Sequence, residues 1–252
     1  MVPAFVLLIA CSPAAAQDKV KPLDPNDPRL TFSFPIQPGG NAFRFQVGLN
    51  KAGHVAGVSV FREGESTPFQ VLPKCASLDL PEPVNEDWEA YEVSTLLTHA
   101  DLNFDGFEDL ELLTYYVPHL DKKLYCIYLW DDKTGRFRYS NALSELAVNP
   151  LPHPENKTIK MHEDWPGGLW TESTYRWNGV KPELIEQNSL RGDGRLLSNE
   201  TCGFNFTCSR LVNGKMIITL EKRVCSPIGG PPDCPAATSS QHRMDSIASP
   251  QQ

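Results

Sequence analysis

The chain has 252 residues, 40% of hydrophobic and 21% of charged types, the balance of an ordinary globular protein of one or two domains. Lys and Arg number 23 against 31 Asp and Glu, a formal charge of −8, and basic residues never gather into a long run. A nucleic-acid partner is excluded for want of a basic stripe. After the first sixteen residues no apolar run approaches the roughly 18 residues that a spanning helix needs.

Residues 2–10 form an apolar run of signal-peptide length, too short to span a bilayer. Two cleavage readings stay open. Leu8-Ile9-Ala10-Cys11 resembles a lipoprotein lipobox, and Ala14-Ala15-Ala16 an ordinary small-residue site. The usual basic start is missing, the first Lys or Arg being Lys19. The resulting plan is a signal over residues 1–16 (or one ending before Cys11), a Pro-rich linker over 17–40, a β domain over 41–225 and a Pro/Ser-rich disordered tail over 226–252. The expected location is the periplasm or, through lipid on Cys11, the outer membrane.

Seven cysteines are present. With Cys11 removed or lipidated, Cys75, Cys126, Cys202, Cys208, Cys225 and Cys234 remain, an even number that suits disulfides in an oxidising compartment. Spacing alone does not choose the connectivity. Local closure favours Cys202 with Cys208 and Cys225 with Cys234, leaving Cys75 for Cys126. No C-x-x-C or C-x-x-H pair supports zinc.

From Phe43 onward, short runs of aromatic and β-branched residues alternate with Gly, Pro, Asn and Asp. The pattern predicts a mostly β chain. Strands are expected over 43–49, 54–62, 91–99, 108–116, 124–131, 136–139, 158–162, 174–177, 183–187 and 215–220. One short helix is expected over 141–147, capped by Asn141 and stopped before Pro150. Turns at Asp132-Lys133-Thr134-Gly135, Asn178-Gly179 and Asn213-Gly214 read as hairpins. Recurring hairpins suggest a propeller-like, antiparallel arrangement, although their spacing is irregular.

The strongest local chemistry lies between two of these strands. Asp101, Asn103, Asp105 and Asp109 stand at positions 1, 3, 5 and 9 of a loop with Gly106 at position 6. Alternate side chains of such a turn converge on one cation, the Gly takes the left-handed conformation, and the carbonyl of Phe107 points inward. Hard oxygens suit calcium. Position 12 is Leu112, not the Glu of an EF-hand, and the flanks read as strands, so Asp109 takes the bidentate role. The alternative is an Asp-rich turn without an ion. A structural role for the ion outweighs a catalytic one, because no nucleophile or base motif stands nearby.

Other constellations are weaker. His162-Glu163-Asp164 cannot all converge, since neighbours on a strand point to opposite faces. Glu172 and Glu183 could form a glycosidase pair only if the fold joins them. Three Asn-x-Thr sites and Arg191-Gly192-Asp193 read as ordinary surface sequence.

The acidic loop, Tyr128-Leu129-Trp130-Asp131 with Thr134-Gly135-Arg136-Phe137, Lys157-Thr158-Ile159 and Tyr175-Arg176-Trp177-Asn178-Gly179 follow one another in a distinctive order. Over residues 95–185 the chain resembles exported bacterial immunity proteins that inhibit peptidoglycan-hydrolysing effectors of antibacterial type IV secretion systems. That family is similar to periplasmic inhibitors of invertebrate-type lysozyme. The resemblance implies a propeller-like, calcium-binding, non-enzymatic domain that blocks a lysozyme-like enzyme with an exposed loop. Its counterpart here lies within 162–174, at Gly167, Gly168, Leu169 and Trp170. Trp170 stands where the family usually has Tyr; alternatively, Trp165 and Trp170 simply cover a sheet end. The rival reading is a carbohydrate- or surface-binding β module in which Trp165, Trp170 and Trp177 stack on sugars.

Overall fold

The computed structural model describes residues 21–75, 83–117, 120, 122–192, 203–224 and 234. The expected signal with Cys11, residues 17–20 of the linker, Cys202, Cys225 and the tail other than Cys234 lie outside the described residues. Within them, fourteen strands form three antiparallel sheets. The first holds β1 (Thr31–Pro35), β2 (Ala42–Leu49), β3 (Val55–Phe61) and β4 (Gln70–Pro73). The second holds β5 (Leu97–Ala100), β6 (Asp109–Val117), β7 (Lys122–Asp131) and β8 (Arg136–Tyr139). The third holds β9 (Pro150–His153), β10 (Thr158–Trp165), β11 (Leu169–Trp177), β12 (Pro182–Gly192), β13 (Phe204–Val212) and β14 (Lys215–Val224). Strands lie side by side in chain order, so each sheet is a meander of hairpins, and none closes into a barrel.

The mostly β expectation holds, with local corrections. Residues 91–99 are not one strand: they begin in α1 (Ala90–Ser94), and β5 starts only at Leu97. The Glu92 carboxylate accepts from the Glu89 N–H at 2.7 Å, which satisfies a free donor at the helix start. Val93 and Leu96, three apart, are fully buried. The short helix contracts to α2 (Asn141–Ser144) and is capped by Ser140, whose Oγ accepts from the Leu143 N–H at 3.4 Å. Asn141 instead donates to Glu145 Oε1 at 2.7 Å.

The Pro-rich linker expected over 17–40 ends earlier. Leu23 is 2% exposed, a 3-10 turn covers Pro28–Leu30 with Leu30 fully buried, and β1 pairs with β2 from Thr31↔Gln46 to Pro35↔Ala42. β1, β4, β9 and β13 were not expected as strands. β1, β4 and β9 contain proline, and all three are sheet edges, where a missing N–H donor is tolerated.

One large core joins the first two sheets and reaches the start of the third. Phe45, Val47, Val58, Val60 and Leu72 supply it from the first sheet, Leu110, Leu112 and Ile127 from the second, and Ile159 and Met161 from the third. β4 is tied to the second sheet along its length. The Gln70 side chain donates to the Phe137 carbonyl at 2.7 Å and accepts from the Phe137 N–H at 3.0 Å. Tyr128 donates to the Pro73 carbonyl, and Cys75 is bonded to Cys126. Within the first sheet, Gly57 lets β3 and β4 lie close, since a Cβ there would lie 2.3 Å from the Leu72 carbonyl oxygen. Among the described residues no helix is long and apolar enough to cross a membrane.

Candidate functional site

The acidic loop joins β5 to β6, so its flanks are strands, unlike those of an EF-hand. Its side chains fold back on its own backbone. Asp101 accepts from the N–H groups of Asp105 at 3.1 Å and Gly106 at 2.9 Å, Asn103 from Asp105 at 3.1 Å, and Asp105 from Phe107 at 3.0 Å. Two left-handed residues, Phe104 at φ 59° and Gly106 at φ 92°, make the turn tight enough for this. Leu102 is 1% exposed and anchors the loop from below.

Asp109 closes the loop from the first position of β6 and is fully buried. One carboxylate oxygen accepts from the Leu102 N–H at 3.0 Å, the other from the Trp130 N–H at 2.9 Å. Burial pushes its pKa up to about 8; the two N–H donors oppose the shift, and Asp105 and Asp101 add to it. Burial also raises Asp101, against the N–H groups of Gly106 and Asp105.

The donor chemistry fits a hard cation: carboxylate and amide oxygens in one tight turn, with a buried carboxylate that accepts from two backbone N–H groups. As the side chains stand, no group of three or more His, Cys, Asp and Glu among the described residues is placed to hold a metal ion.

The Gly-Gly loop is the tip of the β10–β11 hairpin. Trp165 pairs with Leu169 across Pro166, Gly167 and Gly168, and the two glycines take φ 84° and 75°. Asp164 pairs with Trp170, which puts Trp165 and Trp170 on opposite faces of the sheet. The Trp170 ring is half-buried, 6.2 Å from His162 and 5.9 Å from Phe206 between ring centres. It packs on a small second core of Leu190, Phe206 and Cys208. Trp165 is 46% exposed, with Lys122 Nζ 4.7 Å from its ring centre. Lys122 is also paired with Glu163. The sequence held the signal for this split, because a three-residue turn between Trp165 and Leu169 sets the side-chain parity of the whole hairpin.

Trp177 lies at the far end of β11 and packs against the main core, so the three tryptophans form no single platform. His162 Nε2 and Asp164 Oδ1 lie 3.1 Å apart on one face, while Glu163 turns to Lys122 on the other. Glu172 pairs with Asn188 and Glu183 with Arg176, four positions apart along the β11–β12 ladder. That is roughly 13 Å of strand between their backbones, and Glu172 is engaged by Lys160 Nζ at 3.4 Å.

Cys75 and Cys126 are bonded, with Cα atoms 5.6 Å apart. The local loops at the other end are overturned: Cys208 bonds Cys234, 26 residues on, with Cα atoms 6.0 Å apart. Cys208 is fully buried on β13 in the second core, so its side chain meets the returning chain rather than its neighbour in sequence.

No family model matches the chain, and no curated protein matches it. Among solved structures it is similar to a Xanthomonas type IV secretion system related protein at 16% identity, over 79% of this chain and 97% of that one. The TM-score is 0.47, a distant likeness.

Proposed function

We infer that the protein is an exported, calcium-binding inhibitor or immunity protein that blocks a peptidoglycan-cleaving, lysozyme-like enzyme and has no catalytic residues of its own. The observation that carries this reading is the β10–β11 tip, where two left-handed glycines make a tight turn beside the exposed Trp165. Tryptophan is among the commonest anchors of protein interfaces. The two disulfides suit an oxidising compartment. The three meanders are compatible with a blade-like, propeller-type arrangement. Asp101, Asn103, Asp105, Asp109 and the Phe107 carbonyl would hold calcium, which would rigidify the β5–β6 connection. Gly167, Gly168, Leu169 and Trp170 form the contact loop, with Trp165 added as its exposed ring.

The test is a turbidity assay of lysozyme-type and effector-type muramidases on cell walls, with the full chain added in calcium or in chelator. Dose-dependent protection in calcium, lost in Trp165→Ala, is the expected result. Trp170→Ala examines the sequence-based anchor; because that ring belongs to the second core, its melting temperature is read alongside. Protection unchanged in both variants would sink the loop assignment, and no protection against any enzyme would sink the inhibitor class. Chelator should also lower the melting temperature, since an ion bound only by the native state stabilises it by mass action.

A further inference from the structure

Strand register sorts the third sheet into two unlike faces. One carries Trp170, Leu190 and Phe206 in a row, with Cys208 two positions further along β13. That row is apolar and closed by the Cys208–Cys234 bond, and the row beside it is polar, with His162, Glu172 and Asn188. The other face begins apolar, at Ile159 and Met161, where it meets the main core. Beyond Met161 it changes character. Met161 pairs with Ser173 and Ser173 with Gln187; Glu163 pairs with Thr171 and Thr171 with Ser189; Trp165 then pairs with Leu169. A sheet face turned toward the body is expected to be apolar. Here it is a floor of hydroxyl, amide and carboxylate groups ending in an indole.

That floor lines a groove of about 660 Å³, walled on the other side by Glu145 and Leu146 just after α2. The size suits a small-molecule ligand. Ser173 is 7% exposed and takes a hydrogen bond from Gln187 Nε2 at 3.1 Å, so the polar floor is ordered before anything binds. Trp165 is held in place by Lys122 against its ring and by the glycine turn, yet stays open to the groove.

The chemistry narrows the occupant. The lining mixes apolar side chains, Leu146, Met161 and Leu169, with the hydroxyls and amide of Thr171, Ser173 and Gln187, so it suits a ligand with both an apolar face and hydrogen-bonding groups. The charge around it is mixed, since Glu145 and Arg191 both line the groove and Glu163 is neutralised by Lys122, so a neutral ligand suits it. A peptide could not add as a strand on the floor, because β11 and β12 are paired on both sides. A sugar ring matches both parts, with an apolar C–H face for the indole and hydroxyls for carboxylate, amide and hydroxyl partners.

We propose that this groove binds a short pyranose oligosaccharide, with Trp165 as the stacking platform and Glu145, Glu163, Thr171 and Gln187 as the polar contacts. The site does not depend on enzyme inhibition and would act on glycan directly.

The experiment is isothermal titration of the full chain, without enzyme, with chitotetraose and with cellotetraose; the two arms separate N-acetylated from plain hexose chains. Saturable binding of at least one sugar is expected, weakened at least about tenfold in Trp165→Ala and in Gln187→Ala. Lys160→Ala, on the opposite face of β10 and outside the groove, should bind like the parent. Circular dichroism confirms that each variant is folded, and Trp165→Phe should restore part of the affinity. No binding of either sugar at millimolar concentration, or binding that survives Trp165→Ala, overturns the proposal. A chain that inhibits an enzyme but binds neither sugar would refute the sugar site and leave the inhibitor reading standing. Binding without inhibition would do the reverse.

Discussion

The first two sheets and the outer half of the third solve the same problem in different ways. In the first two, the inner faces bury a continuous set of large side chains, and aromatic rings interlock: Phe45 lies 4.3 Å from Phe34 and 6.0 Å from Phe137 between ring centres. Beyond β11, the described residues that are fully enclosed on the apolar face are Leu190, Phe206 and Cys208. β14 is largely exposed, with Ile217 at 46% and Ile218 at 59%. A disulfide takes the place of the missing core. The comparison teaches that stability here is regional: hydrophobic burial holds the body, and a covalent link holds the outer strands.

The comparison can be broken most forcefully at Phe45. It is fully buried, so Phe45→Ala should cost about 3–5 kcal/mol in urea unfolding. All three sheets should then lose cooperativity together; a loss below about 1 kcal/mol would mean that the first core is not the principal one. The next effect is at the disulfide. Cys234→Ser should cost about 3 kcal/mol, but locally. Amide hydrogen exchange should accelerate in β13 and β14 while β2, β3, β6 and β7 keep their protection. Uniform acceleration would erase the distinction between the regions.

The smallest effect sharpens the first region by its pH dependence. Burial pushes the Tyr128 hydroxyl up to about 12, and Tyr139 adds to the shift. A raised folded pKa means stability that is fully present below the ordinary tyrosine value of about 10 and lost as pH rises through about 12. Relative to Tyr128→Phe, the parent should lose on the order of 2 kcal/mol over that window. Parallel pH profiles of the two proteins would show that this hydroxyl is not held in the core.

Much of this was legible along the chain. Runs of aromatic and β-branched residues between turns placed nine strand regions and part of a tenth, β5, and the spacing of Asp101, Asn103, Asp105 and Gly106 located a tight acidic turn whose side chains do face inward. What was not legible shares one cause. β1, β4 and β9 are short proline-bearing edges, stabilised by what they lean on rather than by their own pattern. α1 replaced a strand because Val93 and Leu96 could bury on the core at helical spacing. Cys208 chose Cys234 because the second core brings them together, although Cys202 is far closer in sequence.

By itself the sequence determined the β-rich class, the hairpin turns and the acidic loop. These rest on local propensity and residue spacing, whereas the Cys75–Cys126 bond was only the remainder of two local pairings that the fold overturns. Tertiary structure alone decided which sheet faces are closed, which tryptophan is exposed, and that a polar groove stands beside α2. Those depend on how faces meet across the molecule, and one residue of register moves a side chain from one face to the other.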